Sequence, residues 1–344
     1  MLQQVLGNKV RELRLQQGLS QDELAFYCGM DRPQITKIEQ GKVNVTLETI
    51  ERLSQALQIK TSLLLEETKT LRPFVKWAGG KTQLLDRLHA YMPKTYNNYF
   101  EPFIGGGSFF LNISPKKATI NDFNSELVCA YKCFQNDELF ESLKSELKKH
   151  EANHSEEYYY QIRSMDKEEG FLSLPIYVRA ARMIYLNKSC FNGLYRVNSK
   201  GFFNVPSGRK KKVVTFDEEN FDSLREFFRN NDITILNCDF EDAVKNAKAG
   251  DFVYFDPPYD VIKNKNSFTS YAKNDFGKDE QIRLARLYKK LSDKAVLVML
   301  SNHNTAFINE LYKDFNIHVV NAKRMINSKA DGRGDVEEVI ITNY

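Results

Sequence analysis

The run DFVYFDPPYD (251–260) ends an apolar stretch in an acid, two prolines and an aromatic ring. Neither proline carries an N–H and two in succession cannot continue a strand ladder, so the chain stiffens where the run stops. Asp256 and the Pro257 carbonyl become neighbouring acceptors, which suits an exocyclic amine. Pro258 completes the rigid turn, and Tyr259 offers a face on which a planar base can stack. A plain surface turn would not require this combination after a fully apolar strand.

Two further segments carry chemistry. In EPFIGGGSFF a strand ending at Phe103 runs into Gly105, Gly106 and Gly107 before a helical start at Ser108. Glycines let the backbone pass close under a bound cofactor and adopt positive φ. The dinucleotide pattern G-x-G-x-x-G fails, because position 110 is Phe. In KATINDFNSEL, Asp122 lies about 20 residues beyond the strand that precedes the glycines, the spacing of an acid that accepts hydrogen bonds from ribose hydroxyls. A helix N-cap is the competing role for this aspartate. AGGKT is not a phosphate loop, since the first glycine of G-x-x-x-x-G-K-T would fall at Val75.

These residues need a scaffold that brings strand ends together. Short β-branched or aromatic runs occur at NYFEPF, KATIND, ITILNCD, DFVYFD, AVLVML, NIHVVN and EEVIITNY, with helical patterns such as DELFESLKSELKKH and DEQIRLARLYKKLSD between several of them. Strands alternating with helices predict an α/β fold with a largely parallel, doubly wound sheet, whose ligands sit beyond the carboxyl ends of the strands.

Residues 1–66 differ. They are Gln-rich, with apolar positions at helical spacing: Val10, Leu13, Leu24, Ala25, Cys28, Ile35, Ile38, Leu47, Ile50, Leu53 and Leu57. Gly18 ends a first helix, Ser20 with Glu23 forms a capping box for the second, and Gly29 ends that helix a short turn before the third. This layout predicts a small all-α helix-turn-helix domain, followed by a linker (67–73) and a second domain (74–344).

At 344 residues the chain exceeds one ordinary domain. A net charge of +4 does not itself name a polyanionic partner. Five cysteines without a C-x-x-C pair argue against a disulfide framework or a thiolate zinc site, and the scattered histidines give no ligand spacing, so no metal is expected. No apolar run approaches the ~18 residues of a membrane span, and the expectation is a cytoplasmic protein with no membrane partner.

The stretch LRLQQGLSQDELAFYCGMDRPQITKIEQGK resembles the helix-turn-helix of the phage Cro and repressor family. The resemblance implies that its third helix enters the major groove, with Asp31, Arg32, Gln34, Thr36 and Lys37 facing DNA. Residues 73–344 resemble the S-adenosylmethionine-dependent DNA adenine-N6 methyltransferases whose glycine motif precedes D-P-P-Y, and are similar to the GATC-methylating enzymes. The segments that carry this are FVKWAGGKTQLL (74–85), FEPFIGGGSFFLN (100–112), INDFNSELV (120–128), NKSCFNGLYRVNSKGFFNVPSGR (187–209), NCDFED (237–242), YFDPPY (254–259), LSNH (300–303) and the stretch from Ala322 to Tyr344.

The resemblance implies a Rossmann-like methyltransferase sheet with an inserted target-recognition region at about 130–232. Trp77 and Lys81 would help hold the cofactor, Asp122 its ribose, Phe103, Gly105 and Gly107 its methionine part, and Asp239 with Phe240 its adenine. Asp256 and Tyr259 would face the target base, with Asp256 also bordering the cofactor. Adenine N6 is a poor nucleophile because its lone pair is delocalised; acceptors at Asp256 and Pro257 would localise it. Adenine must then be flipped from the duplex. Cytosine-C5 chemistry would need a cysteine nucleophile, and no Pro-Cys dipeptide occurs.

Between Gly170 and Phe216 stand nine Lys or Arg and no Asp or Glu: Arg179, Arg182, Lys188, Arg196, Lys200, Arg209, Lys210, Lys211 and Lys212. Phe191, Tyr195, Phe202 and Phe203 are interleaved with them, a pattern expected of a surface that meets phosphates and bases. The resemblance places a β-hairpin here, with Phe191 at a position that inserts into the base stack and Arg196, Pro206 and Arg209 at base-reading positions. Lys76, Asn192 and Leu194 match their neighbours, Lys76 at a guanine. The expectation is methylation of double-stranded DNA at GATC, with a possible second operator site for the helix-turn-helix. A regulator with a cofactor-sensing domain and an RNA adenine methyltransferase are the alternatives.

Overall fold

The computed structural model describes residues 2–65, 71–81, 83–260, 276–323 and 335–344, and the chain divides into two compact units, Met1–Thr70 and Leu71–Tyr344. Most of the expected linker, residues 67–70, lies outside the described residues.

The first unit contains α1 (Leu2–Gln16), α2 (Gln21–Cys28), α3 (Arg32–Glu39), α4 (Leu47–Ala56) and α5 (Thr61–Leu65). Its boundaries follow from local chemistry. Ser20 and Glu23 make the reciprocal capping box of α2, Gly29 closes it in the left-handed conformation at φ 61°, and Asp31 caps α3 by accepting from Gln34 N. Leu24, Ile35, Ile38, Leu53 and Leu57 form its core. Leu47 does not join them: it opens α4 and is 82% exposed. Beneath α3, Arg14 Nη2 donates to Glu39 Oε2 at 3.0 Å and Gln21 Nε2 to the same oxygen at 2.9 Å.

The second unit holds a seven-stranded sheet: β1 (Tyr99–Glu101), β2 (Lys117–Asn121), β3 (Asp232–Leu236), β4 (Phe252–Phe255), β5 (Leu297–His303), β6 (Asn316–Lys323) and β7 (Asp335–Thr342), in the order β3-β2-β1-β4-β5-β7-β6. All seven runs expected from the sequence form strands, although the first stops at Glu101, two residues short of Phe103. Pairings from β3 to β5 are parallel, and β7 inserts antiparallel between β5 and β6.

Strand alternation builds two cores. Phe252 and Tyr254 point to one face, with Tyr99 and Phe110, while Val253 and Phe255 point to the other, with Leu284 and Tyr288. The helices α6 (Leu85–Tyr91), α7 (Ser108–Ile113), α8 (Ser125–Cys133), α9 (Asp137–Ala152), α10 (Glu156–Ser164), α11 (Ile176–Ser189), α12 (Glu218–Asn230), α13 (Phe240–Ala243), α14 (Lys278–Asp293) and α15 (Ala306–Leu311) occupy the connections. In α9, Asn136 caps the first turn, acids precede bases along the axis, and Phe140, Leu143 and Leu147 form the buried stripe. No helix among the described residues is long and apolar enough to cross a membrane.

Strand order reverses between β1 and β4. The crevice beyond their carboxyl ends is where such a sheet takes ligands, and both the glycine turn and Asp256 lie there.

Candidate active site at the strand ends

Beyond β1, Gly105 and Gly107 adopt φ of 49° and 71°. Protein groups make part of this demand themselves. A Cβ on Gly105 would stand 2.8 Å from Trp77 Cδ1, and one on Gly107 2.6 Å from the Tyr131 hydroxyl. That hydroxyl donates to Gly105 O at 2.9 Å, and Trp77 stacks on Tyr195 with centroids 5.1 Å apart. Sequence reasoning assigned the glycines to the cofactor and missed Tyr131, whose type carries no signal at that spacing.

Asp122 follows β2 and does not cap α8, a role taken by Asn124. Its Oδ2 accepts from Gly105 N at 3.0 Å and its Oδ1 from Asn124 N at 2.8 Å. Burial outweighs these two N–H donors and pushes the carboxyl up to about 6. Buried Asn121 ties the surrounding turns together, donating to Pro102 O and Cys238 O and accepting from Cys238 N.

On the next strand end, Asp239 caps α13 and takes both arms of Arg283 at 3.0 and 2.7 Å. Burial opposes its charge, but Arg283 and Glu241 N hold the carboxyl below its ordinary range. The same guanidinium lies 4.1 Å from the Phe240 centroid, and Phe103, Phe240 and Phe276 pack as a three-ring wall. Arg283 and Phe276 were invisible to motif reading because they lie outside the motifs and reach the site only through the packing of α14.

Beyond β4, Asp256 Oδ1 is 2.7 Å from the ammonium of Lys81, which is 5% exposed. Lys81 also donates to Gly79 O at 2.6 Å and lies 4.6 Å from the Tyr259 ring centroid. Tyr259 donates to Glu338 Oε2 at 2.8 Å. Burial raises Asp256 to about 6 against the pull of Lys81, and Glu338 adds to the rise. Glu101, buried at the end of β1, accepts from Tyr99 at 2.6 Å, and burial holds its carboxyl well above the usual range. A second network fixes the loop: Gln281 donates to Pro258 O at 2.8 Å, and Asn302 joins Gln281 to Asp260 N.

The basic stretch divides. Arg179 and Arg182 are buried in α11 and pair with Glu126 and Asp166 at 2.7 and 2.9 Å, so two of the nine cations expected on a phosphate surface are structural. Tyr195 and Phe203 likewise pack inward. Lys200, Arg209, Lys210, Lys211 and Lys212 are exposed. The expected β-hairpin is reduced to two isolated bridges, Cys190↔Ser207 and Val197↔Phe203, because a tight turn at Phe191–Gly193, with Asn192 at φ 56°, interrupts the pairing. Phe191 is 51% exposed, and its N–H donates to the carbonyl of exposed Pro206. Half-buried Arg196 donates to Asn204 Oδ1 at 2.7 Å, whereas Arg209 reaches outward at φ 52°. Asn187 holds the backbone of Lys76 through both its N–H and its carbonyl, and the Lys76 side chain packs on Gly193, which brings Lys76 beside Asn192 and Leu194.

In the first unit, Arg32, Gln34 and Lys37 are exposed on α3. Asp31 is exposed and caps the helix through Oδ1, which accepts from Gln34 N at 2.8 Å, and half-buried Thr36 donates to Gln21 Oε1 and Arg32 O.

Residues 77–326 match the family described as D12 class N6 adenine-specific DNA methyltransferase, and residues 10–64 match a helix-turn-helix family. The chain is 48% identical over 282 residues to type II methyltransferase M1.LlaDCHI of Lactococcus lactis subsp. cremoris, covering 82% of this chain and 99% of that one. It is 43% identical over 290 residues to type II methyltransferase M.MjaIII of Methanocaldococcus jannaschii, covering 80% and 99%. Identity to the DNA adenine methylase of Escherichia coli K12 is 36% over 275 residues, covering 79% and 95%.

Proposed function

Because the chain belongs to the D12 class of N6 adenine-specific DNA methyltransferases, we propose that it methylates adenine in GATC within double-stranded DNA, using S-adenosylmethionine and a flipped-out base. One observation carries the reading: strand order reverses between β1 and β4, the glycine turn tied to Asp122 follows β1 and Asp256 follows β4, so the cofactor-side turn and the base-facing acceptor stand at the ends of neighbouring strands.

The residues suit that cofactor. Each Asp122 oxygen accepts a single backbone N–H, which leaves lone pairs for two ribose hydroxyls. The aromatic wall of Phe103, Phe240 and Phe276 offers flat faces to an adenine, Asp239 stands at its edge, and the glycines and Trp77 floor the methionine end. Lys81 reaches this hollow through Asp256. When bound, the cofactor supplies an electrophilic sulfonium methyl.

The protein's part is to prepare the amine. Asp256 and the Pro257 carbonyl accept the two N6–H bonds and localise the lone pair on nitrogen, while Tyr259 stacks on the ring. As nitrogen gains its methyl it loses a proton, for which Asp256 is the adjacent acceptor. Alignment supplies most of the rate, since no covalent enzyme intermediate is needed.

Target recognition falls to Lys76, Phe191, Asn192, Leu194, Arg196, Pro206 and Arg209. The exposed aromatic Phe191 fills the gap left by flipping, at an unstacking cost of a few kcal/mol. The exposed lysines at 200 and 210–212 bind phosphate. Arg32, Gln34 and Lys37, with Thr36 behind them, give the helix-turn-helix its own DNA contact, for autoregulation or added affinity.

Tritiated methyl transfer to duplexes carrying GATC, carrying N6-methylated GATC or lacking it, beside an RNA control, tests the reading. Label on unmethylated GATC alone is expected. Label on other DNA would discard the site, and no label on any duplex would return the sensor or RNA alternative.

A further inference from the structure

We propose that Lys81 is a positioning residue for Asp256: its ammonium is the counter-charge that keeps this base-facing carboxylate ionised and aimed within a buried pocket. The assignment rests on the reaction read above, but it concerns a contact within the chain and differs from a role in holding the cofactor.

Local geometry sends Lys81 inward. Gly79 takes φ 77°, Gly80 N donates to Trp77 O at 3.3 Å, and Leu84 N donates to Lys81 O at 2.8 Å, so the turn curls before α6, and Lys81 is buried. Three contacts then fix the ammonium: Gly79 O at 2.6 Å, Asp256 Oδ1 at 2.7 Å and the Tyr259 ring at 4.6 Å to the centroid. Lys81 therefore touches both ends of the D-P-P-Y loop, the acid that takes the amine and the ring that takes the base.

The surroundings make a counter-charge necessary. Asp256 faces Glu101 from β1, Tyr254 from β4, Tyr259 from its own loop and Glu338 from β7. Burial raises Tyr254 and Tyr259 above their already high ordinary values and pushes the Glu101 carboxyl well above its usual range, so among these groups Lys81 is the cation that offsets the carboxylates. A buried carboxylate stripped of its cation neutralises by taking a proton. Protonated Asp256 would turn one of its acceptor oxygens into a hydroxyl donor, and the remaining uncharged carbonyl oxygen would localise the lone pair less.

The test is a carbon-13 NMR titration of the aspartate carboxyls in the full chain, without cofactor or DNA, with the Asp256 signal assigned by its loss in Asp256→Asn. The wild-type midpoint is expected at about 6. Lys81→Met should raise it by about 1–3 pH units, Lys81→Arg should keep it near the wild-type value, and Glu338→Gln should lower it. Lys81→Gln, which keeps a polar donor without the charge, repeats the measurement if the Met variant does not fold. The acid limb of kcat should move with the midpoint. If neutralising Lys81 leaves the midpoint in place and only weakens S-adenosylmethionine binding, the assignment is overturned and Lys81 serves the cofactor alone. Absence of methyl transfer to every duplex would instead sink the reaction and leave the titration standing.

Discussion

The indole of Trp77 lies against the backbone of Gly105, so that a Cβ at that position would stand 2.8 Å from Trp77 Cδ1 in a residue already at φ 49°. Gly105→Ala must therefore strain the backbone and displace the indole together. We expect a stability loss of about 1–3 kcal/mol and weaker S-adenosylmethionine binding, read by thermal unfolding and calorimetry. An alanine variant with native stability and affinity would show that the turn does not need the glycine.

Asp122 gives a pH dependence of known sign. Its folded carboxyl sits at about 6, raised by burial, so it is charged only above that pH. S-adenosylmethionine affinity should fall as pH drops through about 6, because protonation removes an acceptor for the ribose. The same shift means that neutral Asp122 is favoured in the folded state: its contribution to stability is present at low pH and is lost as pH rises through about 6. Calorimetric titration of wild type and Asp122→Asn across this range checks both statements; a wild-type affinity that ignores pH would refute the ribose role.

Removing Arg179 and removing Lys211 should have opposite consequences. Arg179→Met leaves Glu126 short of its buried partner and should cost about 3–5 kcal/mol of stability. Lys211→Ala should leave thermal unfolding unchanged and reduce the salt dependence of DNA binding by about one in log–log slope. If the stability loss appears in the lysine variant instead, the division of the basic stretch is wrong.

Phe191 stands exposed at the turn after α11, where it can enter a base stack. Phe191→Ala should lower kcat/KM by about 10- to 100-fold, as expected for ~1–3 kcal/mol of stacking, with Phe191→Tyr restoring it. Fluorescence of 2-aminopurine at the target position should report less flipping in the alanine variant. Equal flipping in all three proteins would remove Phe191 from that step.

The two compact units allow a direct separation. Residues 71–344 alone should methylate short duplexes at the rate of the full chain, since the Lactococcus lactis relative is covered to 99% by 82% of this chain. Loss of turnover in a folded truncated protein would make the helix-turn-helix part of target recognition.

Local features were legible in the residues themselves. The capping box at Ser20 and Glu23, the cap at Gly29 and all seven strand runs depend on neighbours in the chain, and each forms where spacing places it. The glycine turn and the D-P-P-Y loop were legible for the same reason, since glycine and proline restrict or free the backbone locally, whereas Asp122 was legible only through its spacing from the glycine strand. Leu47 shows where periodicity stops: it is the first residue of its helix and stands exposed, while the buried stripe begins one turn later at Ile50.

Sequence by itself thus determined the α/β class, the helix-turn-helix and the identities of the acids at three strand ends. Only the tertiary structure decided which charges meet. It buried Arg179 and Arg182 on Glu126 and Asp166, set Arg283 on Asp239, inserted β7 between β5 and β6, and carried Lys81 to Asp256. The reason is physical: a turn or a cap is fixed by bonds a few residues long, whereas the worth of a charge depends on the partner and the solvent around it, and both are set by distant segments packing together.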